Sequence, residues 1–216
     1  MGDVGANRQS PSPASGIFRP LVAFDFDGTL TWKDSFMAFL RWRAGARGYA
    51  AGMARLAPSA FAYLGHRDRE RLKIRAVREF LAGMSRAELE ADAQRFAAQR
   101  ARRLLRPDAI QVWKRWQGQG ARLVIVTASP ESIIAPFARG IGAERLIGTR
   151  LAFDEHDRVT GDFIGSNCRG PEKVVRLREA YGEDMILEAA YGDTDGDREM
   201  LAIAREPGLK VFGGRP

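Results

Sequence analysis

Apolar positions along the chain follow two different periods. Leu21, Val22, Ala23 and Phe24 make a short unbroken apolar run, the pattern of a strand buried on both faces of a parallel sheet. Residues 122–127 (RLVIVT) read as a second such strand, 185–190 as a third, and 209–212 as a short last one. Between them the spacing turns helical. Residues 36–64 carry apolar and aromatic positions interrupted by Arg41, Arg43, Arg47 and Arg55. Leu72, Ala76, Phe80 and Met84 fall four apart, as do Val77 and Leu81, the core stripe of an amphipathic helix. Ser85 and Glu88 form a capping box. The helix they open presents Leu89, Ala93, Phe96, Ala97 and Leu104 on one side, and Pro107 closes the block. Residues 108–116 read as helix, ended by Gly118 and Gly120. Ser129 as N-cap with Pro130 in first position starts another helix, and Gly170-Pro171 opens a further one. Residues 147–153 and 158–164 suggest a hairpin around Asp157-Arg158.

This alternation predicts an α/β fold, a Rossmann-like parallel sheet with right-handed crossovers. The helical block at 35–106 is an insertion just after the first strand. The core is then 20–34 plus 107–216. Residues 1–19 are rich in Gly, Ser and Pro without an apolar signal core, and read as a disordered tail. No internal repeat is visible.

Composition narrows the class. With 216 residues, the chain suits one large domain, or one domain with an inserted lobe. No segment approaches the roughly 20 apolar residues of a membrane span. The single cysteine, Cys168, cannot form an internal disulfide, which fits a reducing compartment and a cytoplasmic expectation. The net charge of +7 is uneven: residues 36–107 hold 16 Arg and Lys against 6 Asp and Glu, a net +10, and the rest nets −3. An excess of that kind suits nucleic acid, an anionic membrane or a phosphorylated substrate, and equally a set of solvated helix faces.

Four features lie where these elements end. Asp25 and Asp27 follow the first strand and run into Gly28-Thr29. Ligands bind at the carboxyl ends of strands in open α/β sheets, and two carboxylates there can divide the work of nucleophile or metal ligand and proton donor. Thr127-Ala128-Ser129 runs from a strand into a helix start, where free N–H groups favour an anion. Lys173 stands in the first turn of a helix, against the helix dipole unless it faces an anion. Asp193, Thr194 and Asp197 follow the third strand.

That order of motifs resembles the haloacid dehalogenase superfamily of phosphohydrolases from residue 20 onward. Motif one is Asp25-Phe26-Asp27-Gly28-Thr29, motif two Thr127, motif three Lys173, and motif four Gly192-Asp193-Thr194 with Asp197. The insertion is similar to the type-1 cap of the phosphoserine phosphatase-like subfamily. Asp34-Ser35-Phe36 and Cys168-Arg169-Gly170-Pro171-Glu172-Lys173 look most like bacterial C-type phosphatidylglycerophosphatases. The resemblance implies that Asp25 attacks phosphorus and becomes an aspartyl phosphate, and that Asp27 protonates the leaving oxygen and then activates water. It implies Mg²⁺ held by Asp25, Asp27 through its backbone carbonyl, and Asp193, with Asp197 and Thr194 in support. Thr127, Ala128 and Ser129 would bind the phosphoryl oxygens, and Lys173 would neutralise them. A dehalogenase has no need of the second aspartate, so Asp27 favours a phosphatase or phosphomutase.

Charge bookkeeping agrees with this division. Ionised Asp25, Asp193 and Asp197 beside a phosphate dianion sum to about −5, and each like pair about 4 Å apart costs roughly 4 kcal/mol at an effective dielectric near 20. Mg²⁺ and Lys173 return about +3. Oxygen-only ligands favour magnesium over zinc, and His66 and His156 lie outside the motifs.

Substrate identity points to the basic block. Asp34, at its entry, is a candidate for a substrate amine or for a helix N-cap. Trp32, Phe36, Phe39, Trp42, Phe61 and Tyr63 lie among or beside the arginines. Such a mixture suits an interfacial helix on an anionic bilayer, or a cap bundle whose aromatics are its core. The expected substrate is a phosphomonoester, with a lipid head-group phosphate such as phosphatidylglycerophosphate first, and phosphoserine or histidinol phosphate as alternatives. The corresponding location is the cytoplasm, peripheral to the inner membrane face. A phospho-accepting module and a nucleic-acid binder are the rivals from other classes. The long insertion argues against the first, no recognised nucleic-acid motif supports the second, and no nucleic-acid partner is expected.

Overall fold

The computed structural model describes residues 19–66 and 69–216, and the side chains of 58–66 and 69 are left aside. The expected tail therefore falls outside the described residues apart from Arg19, as do the side chains of Phe61 and Tyr63. Six strands form one sheet in the order β4-β3-β2-β1-β5-β6. They are β1 (Leu21–Phe24), β2 (Arg122–Pro130), β3 (Arg145–Phe153), β4 (Val159–Ile164), β5 (Leu187–Gly192) and β6 (Ala204–Leu209). All neighbours are parallel except β3 and β4, which form the antiparallel hairpin. The helices are α1 (Ser35–His66), α2 (Arg69–Leu81), α3 (Arg86–Leu104), α4 (Pro107–Gly118), α5 (Glu131–Ile141), α6 (Pro171–Tyr181) and α7 (Arg198–Ala202).

Strand alternation sorts the core into two layers. Val22, Phe24, Leu123 and Ile125 point to one face, where they join Trp113 of α4 and Ile133, Ile134 and Phe137 of α5. Leu21, Ala23, Val124 and Val126 point to the other, with Leu177 of α6 and Met200 and Leu201 of α7. Cys168 is buried in this second layer, and burial pushes its thiol up to about 11. That is the profile of an inert core residue.

Helices α1–α3 do not have a core of their own. Phe36, Phe39, Leu40, Leu81, Leu89, Phe96 and Leu104 belong to the same cluster as the first sheet face. Phe36 and Phe39 are therefore core residues and are not available to a membrane surface. The block is also fastened through its backbone. Trp32 N–H donates to Leu104 (3.1 Å) and Arg106 N–H to Leu30 (2.8 Å), which pairs the two connecting segments. Gly83 N–H donates to Val159 (2.8 Å) and Val159 N–H to Met84 (2.8 Å), which ties the α2–α3 turn to the hairpin. The capping box at Ser85 and Glu88 is present in full.

Several boundaries differ from the sequence reading: β3 is Arg145–Phe153 and β5 is Leu187–Gly192, not 147–153 and 185–190. The break inside α1 is at Gly45 (φ 67, ψ 172), so two helical stretches meet at a kink. Pro107 does not simply end the helical block but opens α4 at its first turn, where its missing N–H costs nothing. Strand β2 runs on to Pro130, which itself holds the N-cap position of α5. Ser129 is therefore not the N-cap, and Pro130 is not the first helical residue. The last strand is Ala204–Leu209 rather than 209–212. An edge strand is half-solvated and tolerates Pro and charge, so Arg205, Glu206 and Pro207 hid it, while the apolar run after it leaves Leu209 and Val211 exposed. Among the described residues no helix is long and apolar enough to cross a membrane.

Candidate active site

Strand β1 lies between β2 and β5, and chain order reverses across it. This is the switch point at which strand ends diverge and leave a crevice. Phe24 is in register with Ile125 on one side and Tyr191 on the other. The next residue, Asp25, therefore sits level with the ends of both neighbours, and its N–H donates to Tyr191 (2.9 Å). A cavity of about 430 Å³ opens there, and Asp25, Asp27, Asp34, Thr127, Ala128, Ser129, Lys173, Asp193, Thr194 and Asp197 all line it.

Lys173 organises its floor. The first turn of α6 carries this side chain inward, where it is 1 % exposed. Its Nζ donates to Asp25 Oδ1 (2.6 Å), Asp197 Oδ1 (2.6 Å) and the Val126 carbonyl (2.7 Å), so all three donors are used. Burial opposes its charge, but the two carboxylates outweigh burial and hold the ammonium above its ordinary range. One lysine shared by two carboxylates compensates only one of them. Burial therefore pushes Asp25 up to about 7, against the pull of Lys173 and with the help of Asp197.

Asp197 is saturated. Its second oxygen, Oδ2, accepts from the N–H groups of Asp193 (3.2 Å) and Thr194 (3.0 Å) and from Thr194 Oγ1 (3.1 Å). It shapes the loop after β5 and aims Lys173. Asp193 is the opposite case. Its Oδ1 is buried without a hydrogen-bond partner among the described residues, and burial, then Asp197, raises its carboxyl above the usual range. Gly28 makes room for it: a Cβ there would come 2.0 Å from Asp193 Oδ2, and Gly28 has φ +84. One oxygen each of Asp25, Asp193 and Asp197 lies within 4.8 Å of the others. The cavity is lined by five aspartates, 25, 27, 34, 193 and 197, against Lys33, Lys73, Lys173 and Arg169. An orphaned carboxylate oxygen in an oxygen-only, net-negative cluster fits a hard divalent cation.

Asp27 faces the cavity from across this floor. Its Oδ1 accepts from Ser35 N–H (2.6 Å) and its Oδ2 from Ser129 Oγ (2.5 Å). Ser129 thus positions Asp27. Thr127 is fully buried, and its Oγ1 accepts from Ser129 N–H (3.1 Å). Asp34 caps α1, accepting from Met37 N–H (2.8 Å). The enclosure of the cavity mouth and then nearby Asp27 push its carboxyl up to about 6, although the residue as a whole stays exposed to water.

Several cavity residues carried no role in the sequence reading, among them Lys73, Asn167 and Arg169. Lys73 reaches in from α2 and donates to the Ala128 carbonyl (2.7 Å). Burial lowers its pKa, against the attraction of Asp27 and Asp34. Its signal was present, since Lys73 stands four before Val77 and eight before Leu81 on the buried face of α2. Asn167 and Arg169 come from the segment before α6. Gly196 leaves space for the Arg169 side chain, whose Nε would lie 2.7 Å from a Cβ there.

A model of the haloacid dehalogenase-like hydrolase family matches residues 22–202. Protein CicA of Caulobacter vibrioides is 58% identical over 196 residues, 91% of this chain and 88% of that protein. A Mycobacterium tuberculosis protein named a probable phosphatase is 28% identical over 214 residues, 93% of this chain and 73% of that one. Among solved structures, a substrate-bound phosphoserine phosphatase has a TM-score of 0.60 over 89% of this chain and 86% of its own, at 17% identity. Likeness at that identity speaks for the fold.

Proposed function

This chain belongs to the haloacid dehalogenase-like hydrolase family, and we propose that it is a Mg²⁺-dependent phosphomonoester hydrolase that works through an aspartyl phosphate on Asp25. It is a phosphatase of the phosphoserine phosphatase-like kind. The observation that carries the mechanism is the pairing across the cavity: Asp25 fixed by Lys173 on the floor, Asp27 fixed by Ser129 and the Ser35 N–H opposite.

Lys173 holds Asp25 by Oδ1, and Oδ2 meets no protein donor among the described residues. A free oxygen on a fixed carboxylate is a positioned nucleophile. The Asp25–phosphorus bond forms as the bond to the leaving oxygen breaks, and Asp27 gives that oxygen its proton. Asp27 then takes a proton from water, the water oxygen attacks phosphorus, and the bond to Asp25 breaks, releasing inorganic phosphate. Asp25, Asp193 and the backbone of Asp27 would hold the cation, which supplies positive charge to the phosphoryl oxygens. Lys173 and Lys73 add side-chain charge on the same side. The N-terminus of α5 begins one residue later than the sequence suggested, so the lysines and the buried Thr127 carry more of the anion's stabilisation.

The favoured substrate class is a lipid head-group phosphate, with the basic helices docked on an anionic membrane at the cytoplasmic face. Asp34 at the mouth supports a second reading, an amine-bearing phosphomonoester such as phosphoserine or histidinol phosphate. Its carboxylate, however, is already engaged in capping α1. The decisive experiment is Asp25→Asn with p-nitrophenyl phosphate and Mg²⁺: turnover should fall to the uncatalysed background. Activity within tenfold of wild type removes Asp25 as nucleophile. Salt-insensitive flotation with anionic vesicles removes the membrane.

A further inference from the structure

Arg169 reaches the reaction cavity from the segment just before α6. Its side chain is half-buried and lies across Gly196, in the acidic turn after β5. Asp195 of that turn pairs with Arg198, and Asp197 with Lys173. Arg169 pairs with neither, and among the described residues its guanidinium meets no acceptor. We propose that Arg169 is a phosphoryl-binding residue, and that position 196 is glycine so that the guanidinium can lie over the turn. The proposal rests on the phosphatase reading above and adds to it a binding group outside the four motifs.

The supply of donors is the first argument. A phosphate over Asp25 presents several anionic oxygens, each wanting a hydrogen bond. Lys173 has spent all its protons on Asp25, Asp197 and the Val126 carbonyl. It supplies charge and no further bond. Ser129 gives its hydroxyl to Asp27 and its N–H to Thr127. Lys33 is exposed at the mouth, 4.0 Å over the Trp32 ring. Lys73 spends one proton on the Ala128 carbonyl. Arg169 spends none, and a planar guanidinium offers phosphate paired donors in a fixed fork.

Placement is the second argument. Lys73 arrives beside the end of β2, where it holds Ala128, and Arg169 arrives beside the turn after β5. Asp25 ends β1, which lies between those two strands. The segment carrying Arg169 is anchored, since Gly170 N–H donates to the Gly196 carbonyl (2.8 Å). Asn167, two residues earlier, is 6% exposed and lines the same cavity. One end of its amide meets Thr149 Oγ1 (2.8 Å), and the other end has no partner among the described residues. Gly196 is the third argument. Its φ lies outside the left-handed region, so the turn itself does not call for glycine. The arginine does: a Cβ at 196 would stand 2.7 Å from Arg169 Nε and 2.8 Å from Cγ and Cζ. Charge on a transferring phosphoryl group spreads over its equatorial oxygens, so this contact should serve every phosphomonoester alike.

The test combines isothermal titration of inorganic phosphate, with Mg²⁺ present, and kcat/KM for p-nitrophenyl phosphate, glycerol 3-phosphate and phosphoserine. Arg169→Gln should weaken phosphate binding, and lower kcat/KM for every ester the wild type hydrolyses, by about tenfold or more, the scale of one charge-assisted hydrogen bond. Its urea midpoint should stay near wild type, because a guanidinium without protein partners holds no other element in place. Gly196→Ala should cause a similar loss by displacing the side chain, and the double variant should match Arg169→Gln within about twofold. Unchanged phosphate affinity or unchanged kcat/KM in Arg169→Gln overturns the proposal. A loss confined to phosphoserine also overturns it, by assigning the arginine to a leaving-group carboxylate, and an unfolded Arg169→Gln variant overturns it by assigning the arginine to the fold. Losses that add in the double variant overturn the pairing with Gly196. If the wild type binds phosphate through Arg169 but turns over none of the esters, the phosphatase reading fails and the binding site stands; if it does neither, both fall.

Discussion

Replacing Lys173 by Met isolates the electrostatic frame of the site. Methionine fills much of the same volume but donates nothing to Asp25, Asp197 or the Val126 carbonyl. Two carboxylates with oxygens within 4.8 Å then face each other, a repulsion of about 3.5 kcal/mol at an effective dielectric near 20. The orphaned carbonyl adds roughly 1–3 kcal/mol. The full sum is not reached, because Asp25, already raised to about 7 by burial, escapes by protonation. The expected net cost is about 3–5 kcal/mol near pH 8, out of a total of roughly 5–15 for a domain. The pH dependence has a definite sign. Asp197 is depressed in the wild type despite burial, chiefly by Lys173, so the stability it contributes is present above the usual carboxylate range and is lost only in strong acid. The variant forfeits it and lifts Asp25 further. A carboxyl raised in the folded state costs stability above its folded pKa and costs nothing below its unfolded one. The deficit should thus shrink by at least half between pH 8 and pH 5, in urea unfolding followed by circular dichroism. Excess Mg²⁺ should narrow it at pH 8, since a ligand of the folded state stabilises by mass action. A deficit under about 1 kcal/mol, or one that does not change with pH, refutes the assignment of Lys173 as the charge partner of this cluster.

Gly28→Ala should push Asp193 away, given the 2.0 Å approach and the positive φ; isothermal titration should show at least tenfold weaker Mg²⁺ binding, with about 1–2 kcal/mol lost in unfolding. The acid limb of kcat/KM for p-nitrophenyl phosphate should fall below about pH 7 at low Mg²⁺, because Asp25 must be ionised to attack, and move to lower pH as Mg²⁺ rises; a limb that ignores Mg²⁺ contradicts a shared site. Lys73→Met should raise KM for an aryl phosphate several-fold with a smaller effect on thermal stability, because it removes one bond to Ala128 and a buried charge. Ser85→Ala should cost about 0.5–2 kcal/mol through the lost capping box and leave turnover unchanged, since Ser85 lies outside the cavity.

Legibility in the sequence followed the range of each interaction. β1, the capping box at Ser85 and the buried face of α3 depend on neighbours within a few residues, and their patterns could be read directly. The site was legible where strand ends carry the chemistry. Asp25 and Asp193 follow buried strands and Thr127 lies in the last part of one, and parallel pairing then brings such ends together. What escaped depends on tertiary placement. Nothing local marks Ser129 as the partner of Asp27, 102 positions away, and the same hydroxyl next to a proline reads as a helix cap. Lys73 enters the cavity only because α2 packs where it does. β6 is a strand because β5 offers it an edge to pair with, not because its own residues prefer that state.

The backbone ties of the helical block bear on how a substrate enters. A cap that swings open must break few bonds, and low-stability contacts are what such lids use. Here α1–α3 share one core cluster with the sheet, and hydrogen bonds at two separate places join the block to the rest: Trp32 and Arg106 at its base, Gly83 and Val159 at its far turn. Opening it as a unit would part Phe96 from Phe137, whose rings pack across this boundary, while Phe39 packs on Phe96 from within the block. A side chain of that size is worth roughly 1.5–3 kcal/mol when buried, so a wide opening is costly. Trp32, Lys33 and Asp34 line both the active site and the neighbouring cavity between the start of α1 and the end of α3, so passage from that side would have to displace three side chains and not the whole block.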